Sequence, residues 1–213
     1  MRTRLSFEGI AQFDMNTIAS KLLGMNVDID EKKCILNNGN KEISIENKFT
    51  FLYTNKSPQE EFDIDNDKSI EKSCRDFIKN IGFPTKNLML DYIESNATSV
   101  KVLKFVQKEG QYKIFSNIID ITVSKNGITT IYCSMQKPSA TKYNNEFIMP
   151  AYKVLLENLW QNDGLVILAI DLGYTIDKVD VDMTGYYERL HWRIRTDNGE
   201  LFYDAVTGKL KKI

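Results

Sequence analysis

One histidine, His191, has to serve the whole 213-residue chain. That scarcity excludes multi-histidine metal centres and forces any Ser–His or Cys–His machinery through a single side chain. His191 sits in Leu190-His191-Trp192-Arg193-Ile194, a strand-like run in which a lone histidine is a packed or exposed structural residue rather than a catalytic base. Cysteine is also sparse. Cys34, Cys74 and Cys133 are odd in number and widely spaced, which argues against a disulfide framework or a paired-cysteine zinc site. They read as small buried apolar residues, with a bridge between one pair left open. Net charge is almost absent: at -1, with Lys and Arg interspersed among Asp and Glu, the chain lacks the concentrated basic face that nucleic acid requires. Its one basic run, Lys209 to Lys212, reads as a solvated chain end. Phosphate-cradling loops of the GxxxxGK[ST] or GxGxxG type are missing.

Long apolar runs are missing too. A membrane span needs about 20 apolar residues. The best run here, Leu165-Val166-Ile167-Leu168-Ala169-Ile170, reads instead as a buried strand. Met1-Arg2-Thr3-Arg4 is not followed by the apolar core of a signal peptide. Asp63-Ile64-Asp65-Asn66-Asp67 begins like a calcium loop, but Lys68 stands where the turn needs glycine and Cys74 where the bidentate glutamate belongs. Asp177, Asp180 and Asp182 have no defined ligand set around them, and Asn96-Ala97-Thr98 is a glycosylation sequon too short to carry weight. No catalytic, cofactor-binding or metal-ligating residue is assigned, no cofactor is expected, and the chain reads as a non-enzyme.

What is present is a recurring pattern of an amphipathic helix followed by strands and glycine turns. Met15, Ile18, Ala19 and Leu22 form one helical stripe closed by Gly24. Ile70, Cys74, Phe77, Ile78 and Ile81 form a second, capped by Asp67 or Ser69 and ended at Gly82-Phe83-Pro84. Tyr152, Leu155, Leu156 and Leu159 form a third, entered through Pro150 and left at Gly164. Strands are predicted at Cys34–Leu36, Lys41–Glu46, Phe49–Thr54, Asn87–Glu94, Val100–Gln107, Tyr112–Val123, Ile128–Ser134, Leu165–Leu172, Leu190–Thr196 and Leu201–Val206. Asn38-Gly39, Glu109-Gly110, Asn126-Gly127 and Asp197-Asn198-Gly199 supply turn chemistry. Asn55 to Lys68 and Lys137 to Asn145 read as linkers. The expected class is α+β, with repeated units of one helix on a small antiparallel sheet. The expected units are 1–66, 67–137 and 146–213.

The last third carries a resemblance. Met149-Pro150-Ala151-Tyr152 opens a helix, Ile170-Asp171-Leu172-Gly173-Tyr174-Thr175 lies on a strand, and His191-Trp192-Arg193-Ile194 precedes Leu201-Phe202-Tyr203-Asp204-Ala205-Val206-Thr207-Gly208. In this order the features resemble the YycH/YycI family of two-component-system regulatory proteins, YycI in particular. Val106-Gln107, Gly110, Ile114-Phe115-Ser116-Asn117 and Asn126-Gly127-Ile128 fit the same resemblance, which covers Ile70 to the C-terminus. One departure is Leu190-His191 before Trp192, where YycI-like proteins often carry proline. The final unit also resembles PepSY-type domains in its helix, strand pair and Asp204-Ala205-Val206-Thr207-Gly208 ending.

The resemblance implies a regulatory module on the extracytoplasmic side of the cell membrane, tethered by an N-terminal helix outside this chain. It implies a sensor histidine kinase and a related YycH-like protein as partners. The PepSY-type likeness implies instead an inhibitory or chaperoning domain acting on a secreted protease. Trp192, Tyr174, Phe202 and Tyr203 are natural interface anchors if they face outward and core residues if they do not. The unit from Pro150 to Ile213, which holds both tryptophans, Trp160 and Trp192, is the expected partner-binding region.

Overall fold

A computed structural model describes residues 2–29, 35–97, 99–143, 147–159, 164–176 and 186–211. Within them run β1 (Arg2–Ala11), α1 (Met15–Leu23), β2 (Ile35–Asn38), β3 (Lys41–Asn47), β4 (Thr50–Asn55) and α2 (Asp67–Ile81). Then follow β5 (Leu88–Ala97), β6 (Val100–Glu109), β7 (Tyr112–Ser124), β8 (Gly127–Ser134) and β9 (Gln136–Tyr143). The chain continues through α3 (Ala151–Asn158), β10 (Ile167–Ile176), β11 (Tyr186–Thr196) and β12 (Gly199–Asp204). Twelve strands against three helices overturn the expected α+β repeat: the fold is mostly sheet, and a helix-on-small-sheet unit does not recur. The physical reason is that strands such as β7, at 13 residues, hold most of the backbone in ladders, while the three helical stripes stay short.

The chain divides into two compact units. Unit 1 comprises Met1–Glu8, Glu109–Ser116 and Pro138–Ile213; unit 2 comprises Gly9–Lys108 and Asn117–Lys137.

Unit 2 orders its strands β2-β3-β4-β8-β7, with β6 beside β7 and β5 beside β6. β7 and β8 alternate buried and half-exposed positions, so Ile119, Ile121, Val123, Ile131 and Cys133 share one inward face. α1 and α2 cover that face with their expected stripes, Ile18, Ala19 and Leu22 from one and Ile70, Cys74, Ile78 and Ile81 from the other. Each buried Ile or Leu among them contributes roughly 1.5–3 kcal/mol by leaving water. Phe13, Phe51 and Phe83 close the core, with Phe51 and Phe83 stacked at 6.0 Å and Phe13 edge-on to Phe83 at 5.1 Å. The cap of α2 is Asn66, whose side chain accepts from the Lys68 and Ser69 amides, so Asp67 and Ser69 are both already helical. Asp67 instead pairs with Lys101 at 2.5 Å.

Two expected linkers are ordered structure. In the first, Lys56, Glu60 and Phe62 donate their amides to the carbonyls of Asn40, Asn126 and Lys125, and Ile64 enters the core. The second is largely β9, which ends the strand order and therefore tolerates Pro138 and a polar composition.

Unit 1 is built around β11. Along one edge it pairs antiparallel with β10; along the other it pairs with β12 over His191–Thr196 and with β1 over Tyr186–Arg189. α3 lies against this sheet through Val154, with Leu155 and Leu159 partly buried beside Ile194, Tyr203 and Trp192. The expected stripe is therefore rotated: Tyr152 and Leu156 face outward. Pro150 opens the helix as expected, and the helix ends at Asn158, an exposed residue whose side-chain amide donates to the Gly208 carbonyl at 3.1 Å.

Candidate functional site

The residues carrying the sequence resemblance are held by structural bonds. Asp204 accepts from the Val206 and Thr207 amides at 2.9 and 2.7 Å and from the Thr207 hydroxyl at 3.0 Å. Burial acts to raise the Asp204 pKa, but these bonds outweigh it and hold the carboxyl below its usual range. Ala205 is fully buried; its amide donates to Leu190, and its carbonyl accepts from Met149 at 2.8 Å. Trp192 donates its indole N–H to the Met149 carbonyl at 2.8 Å. The Asp-Ala-x-Thr-Gly ending is thus a turn that locks β12 and the entry of α3 onto β11. Tyr174 and Tyr203 are buried, and Phe202 meets Phe115 edge-on at 5.4 Å. All four aromatics considered as anchors are packed residues. Trp160 lies outside the described residues, as do Cys34, Thr98, Asp177, Asp180, Asp182 and Lys212.

One face of the same sheet carries a line of charges. Lys113 donates to Asp171 at 2.7 Å, and Arg193 donates to the other oxygen of Asp171 at 2.6 Å and to Glu200 at 3.1 Å. The Arg193 guanidinium is buried and lies 4.6 Å from the centre of the Phe115 ring. Gly173 makes this possible: a Cβ there would sit 2.4 Å from the Lys113 carbonyl and 2.7 Å from the Phe115 ring. Each charge is answered by its neighbour, so the line fixes strand register.

His191 is 2% exposed on β11, with Nδ1 3.0 Å from the Arg189 carbonyl. Glu188, on the same strand, is 1% exposed. The Ser116 hydroxyl meets its Oε1, while Oε2 has no hydrogen-bond partner among the described residues. Burial pushes the Glu188 carboxyl up to about 7, against the opposing pull of the Ser116 bond and of Lys211. Cys74 and Cys133 are buried free thiols, each pushed up by burial. Among the described residues no group of three or more His, Cys, Asp or Glu side chains is gathered for a metal ion.

The feature that stands out lies at the start of β10. The run expected to be buried is open: Val166 is 53% exposed, Ile167 40% and Leu168 56%, with Ile170 exposed as well. β10 is paired with β11 from Ile167 to Ile176, but its partners on β7 are Lys113 and Ile114 alone, opposite Gly173 and Tyr174. Ile167–Ile170 therefore has a strand on one side and, among the described residues, none on the other. A register irregularity between Ile167 and Ala169 turns apolar side chains to both sides of the strand. Asp197 holds the entry, accepting from the Val166 amide at 3.2 Å and donating its own amide to the Val166 carbonyl at 3.1 Å. Sequence reasoning found this run but assigned it to the interior, because an unbroken apolar stretch looks the same in a core strand and in an open edge.

No protein-family model matches the chain, and no curated protein matches it. Among solved structures, an uncharacterized protein from Eubacterium rectale is similar over 100% of this chain and 86% of its own, at 12% identity and a TM-score of 0.57. That likeness shows a shared fold. The Bacillus megaterium YpeB C-terminal domain is similar over 92% of each chain, at 12% identity and a TM-score of 0.49.

Proposed function

We propose that this chain is a non-enzymatic interaction module that takes an extended segment of a partner protein along Val166–Ile170. The open, apolar first half of β10 carries the reading. An unpaired strand edge offers backbone donors and acceptors to an incoming strand, and its side chains supply apolar contact. An edge this apolar is an aggregation hazard unless a partner covers it. The charged line on Arg193 and the buried Glu188 and His191 sit inside packed structure, which agrees with binding rather than catalysis.

The sequence resemblance to the YycH/YycI family supports a sensor histidine kinase and a YycH-like protein as the partners. On this reading the chain lies on the extracytoplasmic side of the cell membrane. The PepSY-type ending at Asp204–Gly208 favours a second reading, inhibition or chaperoning of a secreted protease. Co-purification of the full-length protein from native membranes separates the two. A histidine kinase held by the wild type and lost with Leu168→Lys supports the first reading; a protease held and lost in the same way supports the second. Unchanged association in Leu168→Lys and Ile170→Lys, with melting temperatures intact, removes the β10 edge from recognition.

A further inference from the structure

Unit 2 contains a cleft with the makings of a small-molecule site. Its volume is about 240 Å3, and its floor is apolar, formed by Leu22, Phe77 and Ile128 with the ring of Tyr53. Lys41 and Asn55, paired across β3 and β4, stand on the same side of the sheet as buried Ile43 and Tyr53, at its end. Ser57, Gln59 and Glu60, on the loop that follows β4, also line the cleft.

The rim is built before any ligand arrives. The loop after β4 is tied by the Lys56, Glu60 and Phe62 amides to the β2–β3 and β7–β8 turns. Gly127 lets it come so close: at φ 120°, a Cβ would meet the Glu60 carbonyl and the Pro58 ring at 3.1 Å. A preformed wall lowers the ordering cost of binding.

The charges around the cleft are unequal in their commitments. Lys21 donates to the Asn80 carbonyl at 2.8 Å and is occupied. Lys41 forms no ion pair or side-chain hydrogen bond among the described residues, and the Glu60 carboxylate forms no ion pair there. Glu60 is felt by Tyr53, whose hydroxyl burial pushes up to about 12 with Glu60 adding to the rise, so that hydroxyl remains a neutral donor. A cation and an anion that are both without an ion pair among the described residues, lining one cleft with apolar residues, match a zwitterion with an apolar side chain.

We infer that the cleft between α1, Lys41 of β3 and the Asn55–Glu60 loop binds a free apolar amino acid. Its carboxylate would pair with Lys41, its ammonium with Glu60, and its side chain would lie on Leu22, Phe77 and Ile128.

The test is calorimetric titration of the full chain with L-leucine and L-phenylalanine, alongside isocaproate, which lacks the ammonium, and isoamylamine, which lacks the carboxylate. Saturable binding of at least one amino acid is expected, with both truncated probes weaker by about tenfold or more, the scale of one lost charge-assisted bond. Lys41→Met and Glu60→Gln should each weaken the amino acid by a similar factor. Both positions lie on the rim, so thermal melts should stay at the wild-type value and separate lost binding from lost folding. Absence of saturable binding by either amino acid overturns the inference. So does isocaproate binding as tightly as L-leucine with Glu60→Gln without effect, since the site would then be a plain anion site.

Discussion

Among the described residues, unit 2 gathers 23 buried side chains into one cluster, whereas those of unit 1 fall into clusters of seven and three. Exposure runs the other way. Of the twelve large apolar side chains that stand most open among the described residues, eight belong to unit 1. One unit spends its apolar residues on its own interior, and the other leaves a share of them on α3 and β10 facing outward. A surface apolar residue by itself needs no explanation, but four clustered at one unpaired strand edge do. The difference places most of the buried apolar packing in unit 2, and under the proposed function the open apolar edge of unit 1 is where a partner would bind.

The sharpest way to break that contrast is to cut the unit 2 core. Phe51→Ala removes a fully buried ring from its contacts with Phe13 and Phe83, and a loss of about 3–5 kcal/mol is expected in denaturant unfolding. A loss below about 1 kcal/mol would mean that this core is looser than its packing implies. In unit 1 the corresponding weak point is backbone contact. Gly173→Ala places a methyl against the Lys113 carbonyl and the Phe115 ring, and a loss of about 1–3 kcal/mol should follow, seen in the same experiment.

Glu188 sharpens the comparison through pH. Its carboxyl in the fold lies at about 7, above the 4.5 of an unperturbed glutamate, so between these values the folded chain holds a proton that the unfolded chain has released. Stability is therefore greatest below about 4.5 with respect to this group, declines as pH rises toward 7, and levels off above it. The whole effect is on the order of 3 kcal/mol. Glu188→Gln should flatten that decline in unfolding curves taken across the window, and a slope that persists in the variant would assign it to another group.

Within unit 2, Asn117 tests a polar feature of an otherwise apolar core. Its side chain donates to the Gln107 side chain at 2.6 Å and the Gln136 carbonyl at 2.8 Å, and accepts from the Gln136 amide at 3.0 Å; Gln12 joins the same network through Gln107 at 2.7 Å. Asn117→Leu leaves these buried groups unmatched and should lower stability by about 1–3 kcal/mol.

Much of unit 2 was legible in the sequence. The stripes of α1 and α2 and the alternation of β7 and β8 follow the 3.6 and 2.0 periods closely, because both elements bury one face only. Unit 1 was harder to read, for identifiable reasons. β1 buries Leu5 and Phe7 among charged residues, too short an alternation to mark a strand. β9 looks like a linker because an edge strand can carry proline and hydroxyl residues. The stripe on α3 was misread because only eight residues are helical and, of these, Val154 alone is fully buried. Nothing in the Leu165–Ile170 text distinguishes a buried strand from an open edge; pairing decides that, and pairing is non-local. The cleft was illegible for the same reason, since Lys41, Glu60, Phe77 and Ile128 meet only through tertiary structure.

The smallest expected change in stability is also the most direct test of the central claim. Leu168→Lys adds a charge at an exposed, one-sided edge and should shift unfolding by no more than about 0.5 kcal/mol. The deciding measurement is the amount of sensor histidine kinase that co-purifies from native membranes with the full-length wild type and with this variant, beside Leu52→Lys in unit 2 as an exposed control. The account predicts that Leu168→Lys loses the kinase by about tenfold or more while Leu52→Lys retains it. Equal recovery with all three proteins would contradict it.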